Sequence, residues 1–148
     1  MPSTFKPATL TTFTGAMVTE IFEQAGLPAG VLNVVTGFGP TAGGAMVEHP
    51  LIDKIAFTGS VEVGKIIMRS AASTLKRVSL ELGGKSAVIV CSDAEQDSAA
   101  DTAADAVFGG AGQVCVAGSR VYVERACYEP FVEALSQRAR ARVMGPAW

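Results

Sequence analysis

Residues 54–82, KIAFTGSVEVGKIIMRSAASTLKRVSLEL, carry the reading of the fold. KIAFT (54–58) is a short apolar run of strand composition. Gly59 interrupts it, and Ser60 is a residue type that caps helix N-termini. From there to about Ser70, Val63, Ile66 and Ile67 recur at the spacing of one helical face. RVSLEL (77–82) then returns to strand character. A strand, a helix and a second strand in so short a span form a crossover unit, the connection that joins parallel strands.

The same alternation continues on both sides. Upstream, Phe13, Met17, Ile21 and Phe22 place a helix over 13–25, stopped by Gly26 and Pro28. VLNVV (31–35) is a buried strand, and Thr41 opens a short helix through Val47, closed by His49-Pro50. Downstream, SAVIV (86–90) and SRVYVE (119–124) are strands. They bracket an Ala-rich helix from Asp93 to Phe108, and a further helix runs from Tyr128 to Val143. The order implies an α/β fold with a largely parallel sheet. The alternation breaks at Gly83-Gly84, dividing the chain into domains at 1–83 and 84–148.

The chain has 148 residues, 49% hydrophobic and 18% charged, with a formal net charge of −2. That is a globular composition with no electrostatic footprint for nucleic acid or an anionic membrane. Apolar runs stop well short of the roughly 18 residues of a membrane span, and the N-terminus lacks the pattern of a signal peptide. Cys91, Cys115 and Cys127 are odd in number and form no CxxC, so neither a disulfide framework nor a metal site is expected. The compartment implied is the reducing cytoplasm. Cys91 closes the apolar strand VIV and is expected in the core.

Four stretches carry possible chemistry. GFGPTA (37–42) follows a strand and fits G-x-G-x-x-A, a loop that admits a pyrophosphate to a helix N-terminus. A glycine-rich βα turn is more often a plain turn, and Asp53 lies closer to Gly37 than the usual ribose-binding acid does. FTGSVEVG (57–64) presents Gly59, Ser60 and the free amides of a helix start to an anion, or is a simple N-cap. LELGGKS (80–86) sets Glu81 between two leucines at a strand end. That carboxylate either faces solvent or sits in apolar surroundings suited to proton transfer.

GQVCVAGSR (112–120) sets Cys115 among small residues. A nucleophilic thiol needs access and backbone donors for a developing oxyanion, and Gly112, Gln113, Ala117 and Gly118 are expected to supply small size and those donors. His49, the single histidine, is poorly placed in a loop to serve as the base of a Cys–His hydrolase. Glu81 is the remaining base.

FTGSVEVG, LELGGKS and GQVCVAGSR in this order, with their spacing from Glu81 to Cys115, resemble the aldehyde dehydrogenase superfamily. KPA (6–8) and AGLPAGVLNVVTG (25–37) fit it too. The resemblance covers essentially the whole chain. It implies a Rossmann-like parallel sheet with flanking helices, continuing into the start of a second α/β catalytic domain, and truncated at both ends. Cys115 is then the nucleophile that forms a thiohemiacetal and a thioester with an aldehyde. Glu81 activates the water that hydrolyses the thioester, and the Cys115 amide is half of an oxyanion hole. NAD or NADP is the cofactor. Lys6 reaches the adenosine ribose. Gly59, Ser60 and Val63, together with Phe57 and Thr58 of the same motif, line the cofactor. Leu82 and Gly83 lie near the nicotinamide, and Gly37 belongs to a wall of the adenine pocket. The implied substrate is a small aldehyde, and the parent a homo-oligomer.

Departures from the family pattern carry their own expectations. The upstream asparagine of the oxyanion hole and the downstream residues that hold the nicotinamide ribose are absent, so the isolated chain is expected to be inactive as a dehydrogenase. Thr9 stands where many members have a glutamate that repels a 2′-phosphate, so NADP is acceptable. Gly109-Gly110-Ala111 replaces a helix end that commonly carries asparagine, which would loosen the loop. Cofactor-free ester hydrolysis is a weaker alternative.

Overall fold

The computed structural model describes residues 2–146. Two compact units emerge. One is built from the chain up to Thr58 together with Glu62–Leu80, the other from Gly59–Val61 together with the chain from Glu81 onward.

In the first unit, β1 (Ser3–Phe5) pairs in parallel with β2 (Leu32–Val34), Thr4 opposite Asn33. The sequence reading gave no strand at Ser3–Phe5; three residues are too few to show alternation. Helix α1 (Thr12–Gln24) connects the two. It stops at Gly26, whose φ of 93° is the left-handed conformation that a side chain disfavours. Within α1, Gly15 is buried, and a Cβ there would come within 2.8 Å of the Pro7 Cβ. A π-helical turn, Gly39–Gly43, leads into α2 (Gly44–Glu48), so the helical segment begins with a wider turn, and earlier, than a plain start at Thr41.

The crossover unit follows. β3 (Lys54–Gly59) and β4 (Arg77–Leu82) pair, with α3 (Val61–Ala72) between them in sequence. The buried stripe of α3 is Gly64, Ile67 and Ala71. Of the three residues expected inside, Ile67 is 4% exposed, but Val63 and Ile66 are 41% and 58% exposed. The inward stripe is centred on small residues, which carry little hydrophobic signal. Lys76 is the one buried charged side chain among the described residues, and its Nζ donates to the His49 carbonyl at the end of α2. An ammonium there complements the negative end of a helix.

In the second unit, β5 (Ala87–Val90) and β6 (Arg120–Val123) pair in parallel, Ile89 opposite Tyr122. Two helices, α4 (Gln96–Phe108) and α5 (Tyr128–Arg140), pack with them around Val90, Ala100, Ala103, Cys127 and Phe131. Alanines at 100, 103 and 104 let the helices approach closely. Helix α4 begins at Gln96, later than Asp93, because the Glu95 carboxylate accepts from the Asp97 and Ser98 amides at 3.1 and 2.7 Å. Helix α5 ends at Arg140 instead of running to Val143. The expectation for Cys91 is corrected. Val90 points inward, so alternation turns position 91 outward, and the cysteine of the core is Cys127. The parallel pairs β1–β2 and β5–β6, with helices following the strands, make up the α/β fold expected. Among the described residues no helix is long and apolar enough to cross a membrane.

Across α4 and α5, Arg138 bonds Asp97 and Asp101, and Arg142 bonds Asp105. The Arg138 hydrogen bond holds the Asp101 carboxyl below the usual aspartate range. A depressed folded-state pKa gives stability that is present above the unfolded value and lost as pH falls through the folded one. Because the carboxylate is exposed and such pairs are worth little, the thermal midpoint of the chain is expected to fall only slightly through this pair on acidification through and below the aspartate range, and Asp101→Asn to remove that small part of the fall. An unchanged pH profile in Asp101→Asn would show that the pair contributes nothing.

Candidate active site

Cys115 sits in a loop whose two ends are fixed to the same helix. After Phe108, the last residue of α4, the chain enters a turn in which Gly110, Ala111 and Gly112 all have positive φ (57°, 58° and 73°). Left-handed alanine is strained, and the turn is closed by a bond from the Gln113 amide to the Gly110 carbonyl at 3.1 Å. The segment expected to be loose is thus a hydrogen-bonded turn. The next turn, Val114–Ala117, is closed by the Ala117 amide on the Val114 carbonyl at 3.0 Å. Its central residues are Cys115 and Val116, so the thiol is displayed, exposed, at the tip. The chain then returns to α4, where the Gly118 amide donates to the Ala106 carbonyl at 2.9 Å.

These bonds revise the expected donors. The amides of Gln113, Ala117 and Gly118 are used to build the loop. Among the described residues, no acceptor engages the Cys115 amide. The Val114 and Val116 amides on either side of it are likewise without an acceptor among the described residues.

Gly118 does a different job from the one expected. A Cβ there would lie 2.5 Å from Val88 Cγ2 and 3.1 Å from Ala106 Cβ. The glycine lets the returning chain lie flat between β5 and α4. Gly118→Ala is expected to destabilise the chain by about 1–3 kcal/mol, the cost of overpacking; an unchanged urea midpoint would mean that β5 yields freely.

The Cys115 loop is also joined to the segment that follows Glu81. The Cys115 carbonyl stands 3.2 Å from where a Gly84 Cβ would begin. Arg120 donates through Nε to the Lys85 carbonyl at 2.9 Å, and through its amide to the Ser86 carbonyl at 3.3 Å. Glu81, exposed at the end of β4, is three residues from Gly84, so its Cα lies at most about 11 Å from that point. Gly84 was not singled out in the sequence; the doublet Gly83-Gly84 was the available signal. Leu82 is half-buried and Gly83 exposed on the same stretch. A cavity of about 240 Å³ between β5 and α4, lined by Val88, Ser98 and Thr102 among others, does not include this site.

Of the other candidates, Lys6, Gly37, Phe57, Thr58 and Val63 belong to the first unit, and Gly59 and Ser60 to the second. Lys6 Nζ donates to the Pro7 carbonyl at 2.7 Å and the Gly37 carbonyl at 3.4 Å, and its Cε lies 3.6 Å from where a Gly43 Cβ would stand. The structure thus brings Lys6 and Gly37 together. Gly37 has φ 142°, and a Cβ there would approach the Ala42 Cβ to 2.8 Å. An ammonium has three donors, so Lys6 keeps one for a further acceptor. Phe57, half-buried, and Thr58 lie on β3, which ends at Gly59. Ser60 precedes the first residue of α3, and Val63 lies in its first turn with an exposed side chain.

A model of the aldehyde dehydrogenase family matches residues 3–148. A mitochondrial benzaldehyde dehydrogenase of Antirrhinum majus is 52% identical over 141 residues, covering 95% of this chain and 26% of that protein. The NAD+ complex of an aldehyde dehydrogenase from Bacillus cereus superposes with a TM-score of 0.93 at 46% identity, over 97% of this chain and 29% of that one. An NADP-dependent enzyme of E. coli superposes at 0.89 with 43% identity, over 92% and 28%. The chain thus spans about a quarter of the length of these relatives.

Proposed function

The chain belongs to the aldehyde dehydrogenase family, and from that membership we propose that it is the part of such an enzyme that carries the nucleophile and the base for oxidising an aldehyde to a carboxylic acid. The observation that supports this best is the exposed Cys115 turn, joined through Gly84–Ser86 to the segment after Glu81.

The Cys115 thiol gives up its proton to solvent and its sulfur attacks the aldehyde carbon. An S–C bond forms, the carbonyl π pair moves to oxygen, and the Cys115 amide donates to that oxygen. A bound NAD or NADP would supply the acceptor for the hydride that leaves this carbon. A thioester on Cys115 remains. Glu81 takes a proton from water as its oxygen attacks the acyl carbon. The carbonyl re-forms as the S–C bond breaks, and the sulfur takes the proton held by Glu81, which releases the acid and restores both the thiol and the carboxylate.

Residues 1–83 are read as cofactor-domain sequence and 84–148 as the start of the catalytic domain. The Lys6 group fits a dinucleotide in its chemistry. One ammonium donor remains for a ribose hydroxyl, over a backbone kept bare at Gly37 and Gly43. Phe57, Thr58, Gly59, Ser60 and Val63 would hold the rest of the dinucleotide, with Leu82 and Gly83 beside the nicotinamide. Exposed Thr9 places no negative charge near a 2′-phosphate. Thr9→Glu is expected to weaken NADP use relative to NAD by about ten-fold, the effect of roughly 1.4 kcal/mol of added repulsion; an unchanged ratio would remove Thr9 from the selectivity. The enzyme is read as a cytoplasmic homo-oligomer.

The test is a chimaera in which this segment replaces the matching one of a full-length relative. Aldehyde-dependent reduction of NAD or NADP supports the proposal, and a folded but inert chimaera sinks it. A second reading, a catalytically incomplete chain that needs a partner, draws on the large uncovered side chains of the first unit, where Leu10 and Phe13 are 98% and 87% exposed. It expects no turnover by the isolated chain, because losing one oxyanion donor alone costs about 10²–10³ in rate. Steady turnover by the isolated chain would exclude it.

A further inference from the structure

The loop that carries Cys115 leaves α4 at Phe108 and returns to it at Ala106. Whatever fixes the last turn of α4 therefore fixes both ends of the loop. One side chain from another element does so. Arg142, just beyond α5, bonds the Asp105 carboxylate through Nη2 at 2.5 Å, and its guanidinium carbon lies 5.9 Å from the centre of the Phe108 ring. Its own amide is bonded to the Ala139 carbonyl at 3.3 Å, so the arginine is held on the end of α5. Asp105 and Phe108 are three residues apart, on one face of the helix.

We propose that Arg142 is a positioning residue for the Cys115 loop, acting through Asp105 and Phe108. The role in the reaction rests on the reading of Cys115 as nucleophile; the clasp itself does not. Exposed ion pairs and ring contacts contribute little to global stability. Losing this one should therefore loosen the loop without unfolding the chain. Arg138 provides the internal comparison. It joins the same two helices through Asp97 and Asp101, which lie earlier in α4.

The experiment measures amide exchange in the chain. In Arg142→Gln, exchange at Gly118 and Gln113 should rise about five-fold, the effect of one such pair and ring contact, while the Ala103 amide is unchanged. Arg142→Lys, which keeps a cation, should restore most of the protection, and Arg138→Gln should leave the loop alone. In the chimaera, Arg142→Gln should lower kcat by a similar factor with KM for the cofactor unchanged. No acceleration in Arg142→Gln, equal acceleration in Arg138→Gln, or faster exchange with kcat unaltered would overturn the proposal. Turnover that survives loss of Cys115 would instead sink the functional reading, and the exchange result would still decide the clasp.

Discussion

Cys115→Ala in the chimaera is expected to lower aldehyde oxidation by roughly 10⁴–10⁶-fold, the scale of deleting a covalent nucleophile. The fold should survive, since the Cys115 side chain is exposed at the tip of a turn closed by backbone bonds. The other thiols offer no substitute. Cys127 is buried in the core, with its sulfur on the Glu124 carbonyl at 3.3 Å. Cys91 is exposed but lies at the far end of β5, after Val90, whereas Cys115 is joined to the segment before Ala87. Cys91→Ala should therefore leave turnover unchanged. Steady-state rate and thermal midpoint, measured on both variants, separate a lost nucleophile from a lost fold. Retained activity in Cys115→Ala would end the covalent mechanism.

Glu81→Gln should behave differently. Glutamine keeps the shape but cannot take a proton at its oxygen, so acylation and hydride loss proceed once and thioester hydrolysis stalls. A burst of reduced cofactor should survive, followed by a steady rate lowered about 10²–10⁴-fold, the usual contribution of a general base. Stopped-flow absorbance distinguishes this from loss of the first step. An unchanged steady rate would assign the base to another group.

The elements that could be read from the sequence are those whose signal is local. RVSLEL became β4 residue for residue, because β-branched and leucine positions alternate within it. Gly26 ended α1 as expected, because the chain needs positive φ there. What eluded the sequence depends on partners. The buried stripes of α3 and α4 are built largely from glycine and alanine, whose value lies in the close approach they permit rather than in apolar area. That Cys91 is exposed and Cys127 buried follows from the phase of β5 and from α5 packing over it, neither visible in a run of three apolar residues. At the site, small residues around Cys115 pointed correctly to an accessible thiol. They did not tell which amides would be spent on the loop, because the Gly118 bond to Ala106 joins a strand entrance to a distant helix end. The Gly84 approach and the Arg142 clasp are tertiary in the same sense.

The most direct measurement is the site of acylation. The Glu81→Gln chimaera is mixed with benzaldehyde and NAD, quenched in acid after the burst, and mapped by peptide mass spectrometry. One benzoyl group on Cys115, in proportion to the reduced cofactor formed, is the result expected. A burst of reduced cofactor with Cys115 unmodified, or with the acyl group on Cys91, would contradict it.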